Sequence, residues 1–199
     1  MSPTGGVLVA FEGVDQSGKE TQAKRQRARL EAAGLRVVQF DFPCYKTAIA
    51  GEIASALAGE RAYSADVLQL LFIANRFEYK PRIAEALANG CAVLCDRYQA
   101  SSVAYGEALG LDASWLEEAQ RLLPQPDLTV LLDIAPTTAA RRKAANRDRF
   151  ERDLALLERV RASYLRQAER GAWAVIDGER GLEDVEADVT RAFQERLGR

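Results

Sequence analysis

The sequence predicts an α/β fold, a parallel sheet with helices on both faces. Three observations carry that prediction. Five short, almost wholly apolar runs recur along the chain, segments of helical periodicity separate them, and a glycine-bearing loop joins the first run to the first helix. Strands that are apolar on both sides belong in a sheet covered on both faces. Right-handed crossovers then place the loops that follow the strands along one edge, where ligands bind.

The first run is Val7 to Phe11, and Lys19 to Ala33 reads as the helix after it, closed by Gly34. Arg36 to Phe40 is the second run. Ser64-Ala65-Asp66 opens a long helical segment that reaches Ala88, and Asn89-Gly90 ends it with residues tolerant of left-handed geometry. Ala92 to Cys95 is the third run. Pro124 and Pro126 punctuate the chain before the fourth, Leu128 to Leu132. Phe150 to Arg170 reads as a helix, Ala172 to Ile176 as the fifth strand, and Leu182 to Leu197 as the last helix. The chain shows no internal repeat or low-complexity tract.

Between the first strand and its helix stands Glu12-Gly13-Val14-Asp15-Gln16-Ser17-Gly18-Lys19-Glu20-Thr21, with Gly13 and Gly18-Lys19 at the spacing of a phosphate-binding P-loop. Glycines there let backbone N–H groups turn inward on phosphates, the helix adds its positive end, and Lys19 adds a mobile charge. This loop predicts binding of a nucleoside triphosphate. After Lys19 the pattern departs from the usual one, because Glu20 occupies the place where a serine or threonine hydroxyl reaches magnesium. Thr21, an ordered water or carboxylates elsewhere must then serve the metal.

With 199 residues, 48% of them hydrophobic, and no Gly/Ser/Pro-rich linker, the chain reads as one compact domain. A formal charge of −2 offers no global attraction to nucleic acid or anionic lipid, so small anions are the expected partners. No apolar run approaches the ~20 residues that span a bilayer and no signal-peptide pattern opens the chain, so a cytoplasmic location is expected. Three cysteines, Cys44, Cys91 and Cys95, suit neither a disulfide framework nor a metal site. Without a histidine, the chain is a poor candidate for zinc or imidazole chemistry.

Further motifs follow the other strands: Phe42-Pro43, Asp96-Arg97-Tyr98 with Ser101 and Tyr105, and Asp148-Arg149-Phe150-Glu151. Phe72 and Arg76 stand on the long helix. Together with the P-loop these resemble, in order and across essentially the whole chain, the thymidylate kinase family. The resemblance implies a three-layer P-loop kinase fold with a five-stranded parallel sheet and a homodimer. It also implies transfer of the γ-phosphoryl group of ATP, with Mg2+, to dTMP.

Position by position, the resemblance implies that Gly13 to Thr21 holds ATP, including Val14, Gln16 and Ser17, and that Asp15 holds the sugar hydroxyl or the local arginine and metal shell. Phe72 is the ring expected to stack on thymine and Arg76 the donor to the carbonyl beside the methyl group. Their i, i+4 spacing puts them on one helix face. Ser102 lies against the base, Tyr105 crowds the sugar 2′ position, and Phe42-Pro43 shapes the pocket, with the proline open to a cis bond. Tyr45 is a ligand of the dTMP phosphate. Arg97 grips that phosphate and, with Lys19, is expected to carry catalysis.

The family's lid corresponds to residues 136–150. Because Gln16 replaces the arginine that some members carry after the P-loop aspartate, Arg147 and Arg149 are expected near the transferring phosphate, and Arg142 toward the adenine or its phosphates. Phe150 contacts the nucleotide, and Thr21, Asp148 and Glu151 are the expected metal ligands. A run of arginines is otherwise a solvated face. The rival readings are another nucleoside monophosphate or deoxynucleoside kinase, and a kinase-like binding protein without turnover, which Glu20 favours. No Asn-Lys-x-Asp motif suggests a GTPase switch.

Overall fold

A computed structural model describes residues 5–142, 150, 153–171 and 173–198. Five strands form one parallel sheet in the order β2-β3-β1-β4-β5. They are β1 (Val7–Glu12), β2 (Val37–Asp41), β3 (Ala92–Asp96), β4 (Leu128–Asp133) and β5 (Ala174–Asp177). The register pairs Phe11 with Asp96, Asp96 with Asp41, and Asp133 with Asp177.

Each strand runs one residue beyond the apolar run that predicted it, and in every case that residue is an acid: Glu12, Asp41, Asp96, Asp133 or Asp177. An apolar criterion stops at the first polar side chain, whereas the ladder is built from backbone groups. The sheet therefore ends in a row of carboxylates at its carboxyl edge.

Side chains along β1 alternate between two cores. Val7, Val9 and Phe11 pack against Ala23 and Leu30 of α1 (Lys19–Ala32) and against Val185, Val189 and Phe193 of α8 (Leu182–Leu197). Leu8 and Ala10 face Tyr79 and Ile83 of α3 (Ala65–Ala88). Burial on both faces explains why the strand reads as a continuous apolar run.

The long helix α3 begins after Ser64 and ends at Asn89, with Gly90 at φ 75, as the end signals predict. α4 (Gln99–Ala108) and α7 (Leu154–Gly171) pack on each other, with Ala100, Ala104, Leu157, Val160 and Tyr164 in one core. α2 (Ala48–Ala58), α5 (Ala113–Ala119) and α6 (Pro136–Arg142) complete the helices among the described residues. α6 occupies the start of the segment expected to be a lid. The connection after β1 leads toward β2 and that after β3 toward β4, so the switch of direction falls between neighbouring strands β1 and β3. Crevices at such points receive ligands.

Candidate active site

The loop from Gly13 to Gly18 follows β1 and wraps back over its end. Gly13 adopts φ 138 and a Cβ there would lie 2.5 Å from the Leu132 carbonyl oxygen, so only glycine fits between this loop and β4. Gly18 caps α1 at φ 99, and Lys19 is the first helical residue. Its ammonium is buried and donates to the Val14 carbonyl at 2.9 Å, inside the loop between β1 and α1. Burial, then the cation of Arg97, lowers the Lys19 pKa against the pull of Asp96, Asp15 and Glu12.

Arg97 follows β3 with a left-handed backbone, φ 62, and its N–H donates to the Phe11 carbonyl at 2.9 Å. That turn sends the guanidinium over the P-loop. Nη2 donates to Asp15 Oδ1 at 2.7 Å and Nη1 to the Gly13 carbonyl at 3.1 Å. The Tyr105 hydroxyl donates to Asp15 Oδ2 at 3.2 Å, and Arg97 lies 5.4 Å over the Tyr105 ring. Burial pushes the Asp15 carboxyl up, but Arg97 and Lys19 outweigh it and hold the pKa at about 2. Asp96, beside Lys19, is shifted upward, first by burial.

Two clefts meet at this pair. A wide one of about 760 Å³ runs along the P-loop past Lys19, Thr21, Asp41, Asp96 and Arg142. A narrower one of about 130 Å³ is lined by Phe72, Gln69, Arg76, Ser102, Tyr105 and Phe150. Asp15, Arg97, Phe42, Pro43 and Tyr45 line both.

In the narrow cleft the Arg76 guanidinium is 2% exposed, and burial lowers its pKa. Nη1 donates to Ser102 Oγ at 2.7 Å and to Gln120 Oε1 at 3.4 Å, while Nε has no hydrogen-bond partner among the described residues. Arg76 also sits 6.0 Å over the Phe42 ring, and the Phe42-Pro43 bond is cis. The Phe150 ring packs 5.6 Å from that of Tyr105 and closes the far wall. Such a site offers a flat apolar slot with a few inward donors, which suits a nucleobase.

The sequence model for thymidylate kinase matches residues 11–189. The chain belongs to the thymidylate kinase family. It is 33% identical to thymidylate kinase from Plasmodium falciparum, over 94% of this chain and 89% of that one. With the Homo sapiens thymidylate kinase it shares 33% identity over 95% of this chain and 90% of the human one. The solved structure of thymidylate kinase from Candida albicans superposes with a TM-score of 0.86 at 25% identity, covering 96% of this chain and 92% of that one. As a member of the thymidylate kinase family, the chain is an ATP-dependent phosphotransferase of the nucleoside monophosphate kinase class.

Of the residues singled out in the sequence, Lys19, Asp15, Arg97, Phe42, Pro43, Phe72, Arg76, Ser102, Tyr105 and Phe150 line these two adjoining clefts. Tyr45 is 59% exposed at the rim where the clefts join. Arg142 bridges two loops, donating from Nη1 to the Gln16 carbonyl at 3.1 Å and from Nη2 to that of Gly178 at 2.7 Å. Glu20 is exposed and pairs with Lys24 on the next turn, while Thr21 lines the wide cleft. Arg147, Asp148, Arg149 and Glu151 lie outside the described residues.

Four residues in or beside this site were given no role by sequence reasoning. Asp96 and Glu12 are strand-end acids, and their position after an apolar run was a usable signal. Glu12 is fully buried, with Oε1 receiving the Tyr98 N–H at 2.8 Å and the Ser101 N–H at 3.3 Å, so it holds the start of α4. Ser101 and Tyr164 join the same network through their hydroxyls. Tyr164 had no signal, because an aromatic at a core-facing helical position reads as packing.

Proposed function

We propose that this chain transfers the γ-phosphoryl group of ATP to dTMP, giving ADP and dTDP for dTTP synthesis. The observation that carries the reading is the junction of the two clefts at Asp15 and Arg97. One cleft is built for phosphates and the other for a flat base, and their shared wall is a fixed cation. Phosphoryl transfer asks for little covalent help, so aligning two anions and neutralising their shared charge is the main task.

In this reading Gly13 to Thr21 cradles the ATP phosphates and Lys19 leaves the Val14 carbonyl to follow the γ-phosphate. Arg97 grips the dTMP phosphate, aided by Tyr45, and Asp15 holds Arg97 and the sugar hydroxyl. Phe72 stacks on thymine, the free Arg76 Nε–H and its neighbours donate to a base carbonyl, Ser102 orients Arg76, and Tyr105 excludes a 2′-hydroxyl. Arg142 is placed to follow the nucleotide over Gln16, and Arg147 and Arg149 are assigned to the transition state from the family resemblance.

Among the described residues no three acidic groups cluster to hold a metal by themselves, but the wide cleft is lined by Thr21, Asp41 and Asp96, separate oxygen donors of the kind that support a Mg2+ carried by phosphates and waters. Mg2+ accompanying ATP is therefore part of the reading, with Thr21, Asp148 and Glu151 as proposed ligands. Bound there, it would neutralise phosphate charge. Among the described residues no helix is long and apolar enough to cross a membrane. A cytoplasmic homodimer with a single kinase domain completes the proposal.

Glu20 supports a second reading, binding of both nucleotides without turnover. Lys19→Ala and Arg97→Ala separate the two. The kinase reading expects turnover to fall by roughly 10²-fold or more with unchanged circular dichroism. Near-parental rates in both variants would overturn the site assignment. Binding of dTMP without ADP release in the parent would favour the second reading and make Glu20→Ser the variant to assay.

A further inference from the structure

Arg97 is held on two sides. Asp15 fixes Nη2 from the P-loop, whereas Nη1 points at the Gly13 carbonyl and at two hydroxyl oxygens, Ser101 Oγ at 3.2 Å and Tyr164 OH at 3.3 Å. Tyr164 comes from α7, remote in sequence from both the P-loop and the β3 turn, and its side chain is 1% exposed.

The proton positions follow from the partners. Glu12 Oε2 lies 2.6 Å from Ser101 Oγ and 3.2 Å from Tyr164 OH, and the two hydroxyl oxygens are 2.8 Å apart. A carboxylate only accepts and a guanidinium only donates. Ser101 therefore donates to Glu12 or to Tyr164, and Tyr164 donates either to Glu12 or to Ser101 Oγ. In each of these arrangements the Tyr164 proton points away from Arg97 and its lone pairs face Nη1. The buried Glu12 carboxylate thus sets the polarity of a short chain that ends on the arginine.

We propose that Tyr164 is a positioning residue for phosphoryl transfer: anchored by Glu12, its hydroxyl fixes the Nη1 side of Arg97 so that the guanidinium faces the junction of the two clefts. The inference rests on Arg97 acting at the acceptor phosphate. A planar guanidinium anchored on one side alone can pivot about that contact, and two anchors in different directions remove the pivot. Misaim of this kind is felt in the transition state, where alignment matters most.

Tyr164→Phe keeps the ring in its core and deletes only the hydroxyl. The expected result is a kcat/KM for dTMP about tenfold lower, with the KM for ATP unchanged. In an Arg97→Lys background the same substitution should change kcat/KM by less than about twofold, since the group it positions is gone. A merely structural role would give the same loss in both backgrounds, and that result overturns the proposal, as does parental kinetics for Tyr164→Phe beside a collapsed Arg97→Lys. Parental kinetics for Arg97→Lys alone would instead overturn the assignment of Arg97 on which the inference rests. Should Tyr164→Phe lose its native circular dichroism, Ser101→Ala tests the same anchor: coupling to Arg97→Lys is expected, and an equal loss in both backgrounds overturns the proposal.

Discussion

At the scale of single residues, the site is held by conformations and charges that few substitutions tolerate. Gly13→Ala asks for a side chain at φ 138, 2.5 Å from a backbone oxygen of β4 and 2.9 Å from Ser17 Oγ. Neither the loop nor the strand can retreat freely, so ATP should lose its stabilising effect on thermal unfolding in this variant while the parent is protected. Asp15 makes a pH prediction. Its folded pKa of about 2 lies below the unfolded value, so its contribution to stability is complete above about pH 4 and is lost as pH falls through about 2. Denaturant midpoints of the parent and Asp15→Asn, measured between those limits, should converge toward the acid end. The P-loop residues were legible because phosphate binding demands particular residues at particular spacings, and Arg97 through the resemblance that its motif carries. Tyr164 was not, since a hydroxyl in a helix core leaves no pattern, and Ser101 stood in the motif after β3 without a role of its own.

Among the elements, α3 and α4 carry the proposed base pocket between them. Phe72 and Arg76 lie one turn apart on α3, and Ser102 and Tyr105 three residues apart on α4, so two helix faces form the slot. Phe72→Ala should raise the KM for dTMP by about tenfold or more and leave that for ATP unchanged, read from steady-state kinetics with each substrate varied in turn. The approach of α5 to α4 depends on Gly106, where an added Cβ would lie 2.4 Å from Leu116 Cδ1. Gly106→Ala should therefore lower stability by about 1–3 kcal/mol despite the better helix propensity of alanine, a shift visible in the urea midpoint. The long helix was readable from its end signals, whereas α2, α4, α5 and α6 were not delimited in the sequence. They are short, and α2 and α4 are rich in alanine and serine, so periodicity is weak there. The strand ends were one residue short for the opposite reason: apolarity marks where a strand is buried, not where its ladder stops.

For the whole molecule, strand order brings the loops after β1 and β3 side by side and sets the P-loop against Arg97, although they are far apart in sequence. Order was not written in any one strand, and the resemblance of the full set of motifs supplied it. The proposed homodimer should sediment at twice the chain mass, and a monomer at working concentrations would refute it. The proposed reaction requires the two clefts to bring ATP and thymidylate together at Asp15 and Arg97. The most direct test is ADP release from ATP and magnesium with dTMP, dUMP, UMP, dCMP, dGMP and AMP compared side by side. dTMP should be turned over with the highest kcat/KM, whereas preference for another monophosphate, or no turnover with any of them, would refute the proposed pairing of the two clefts.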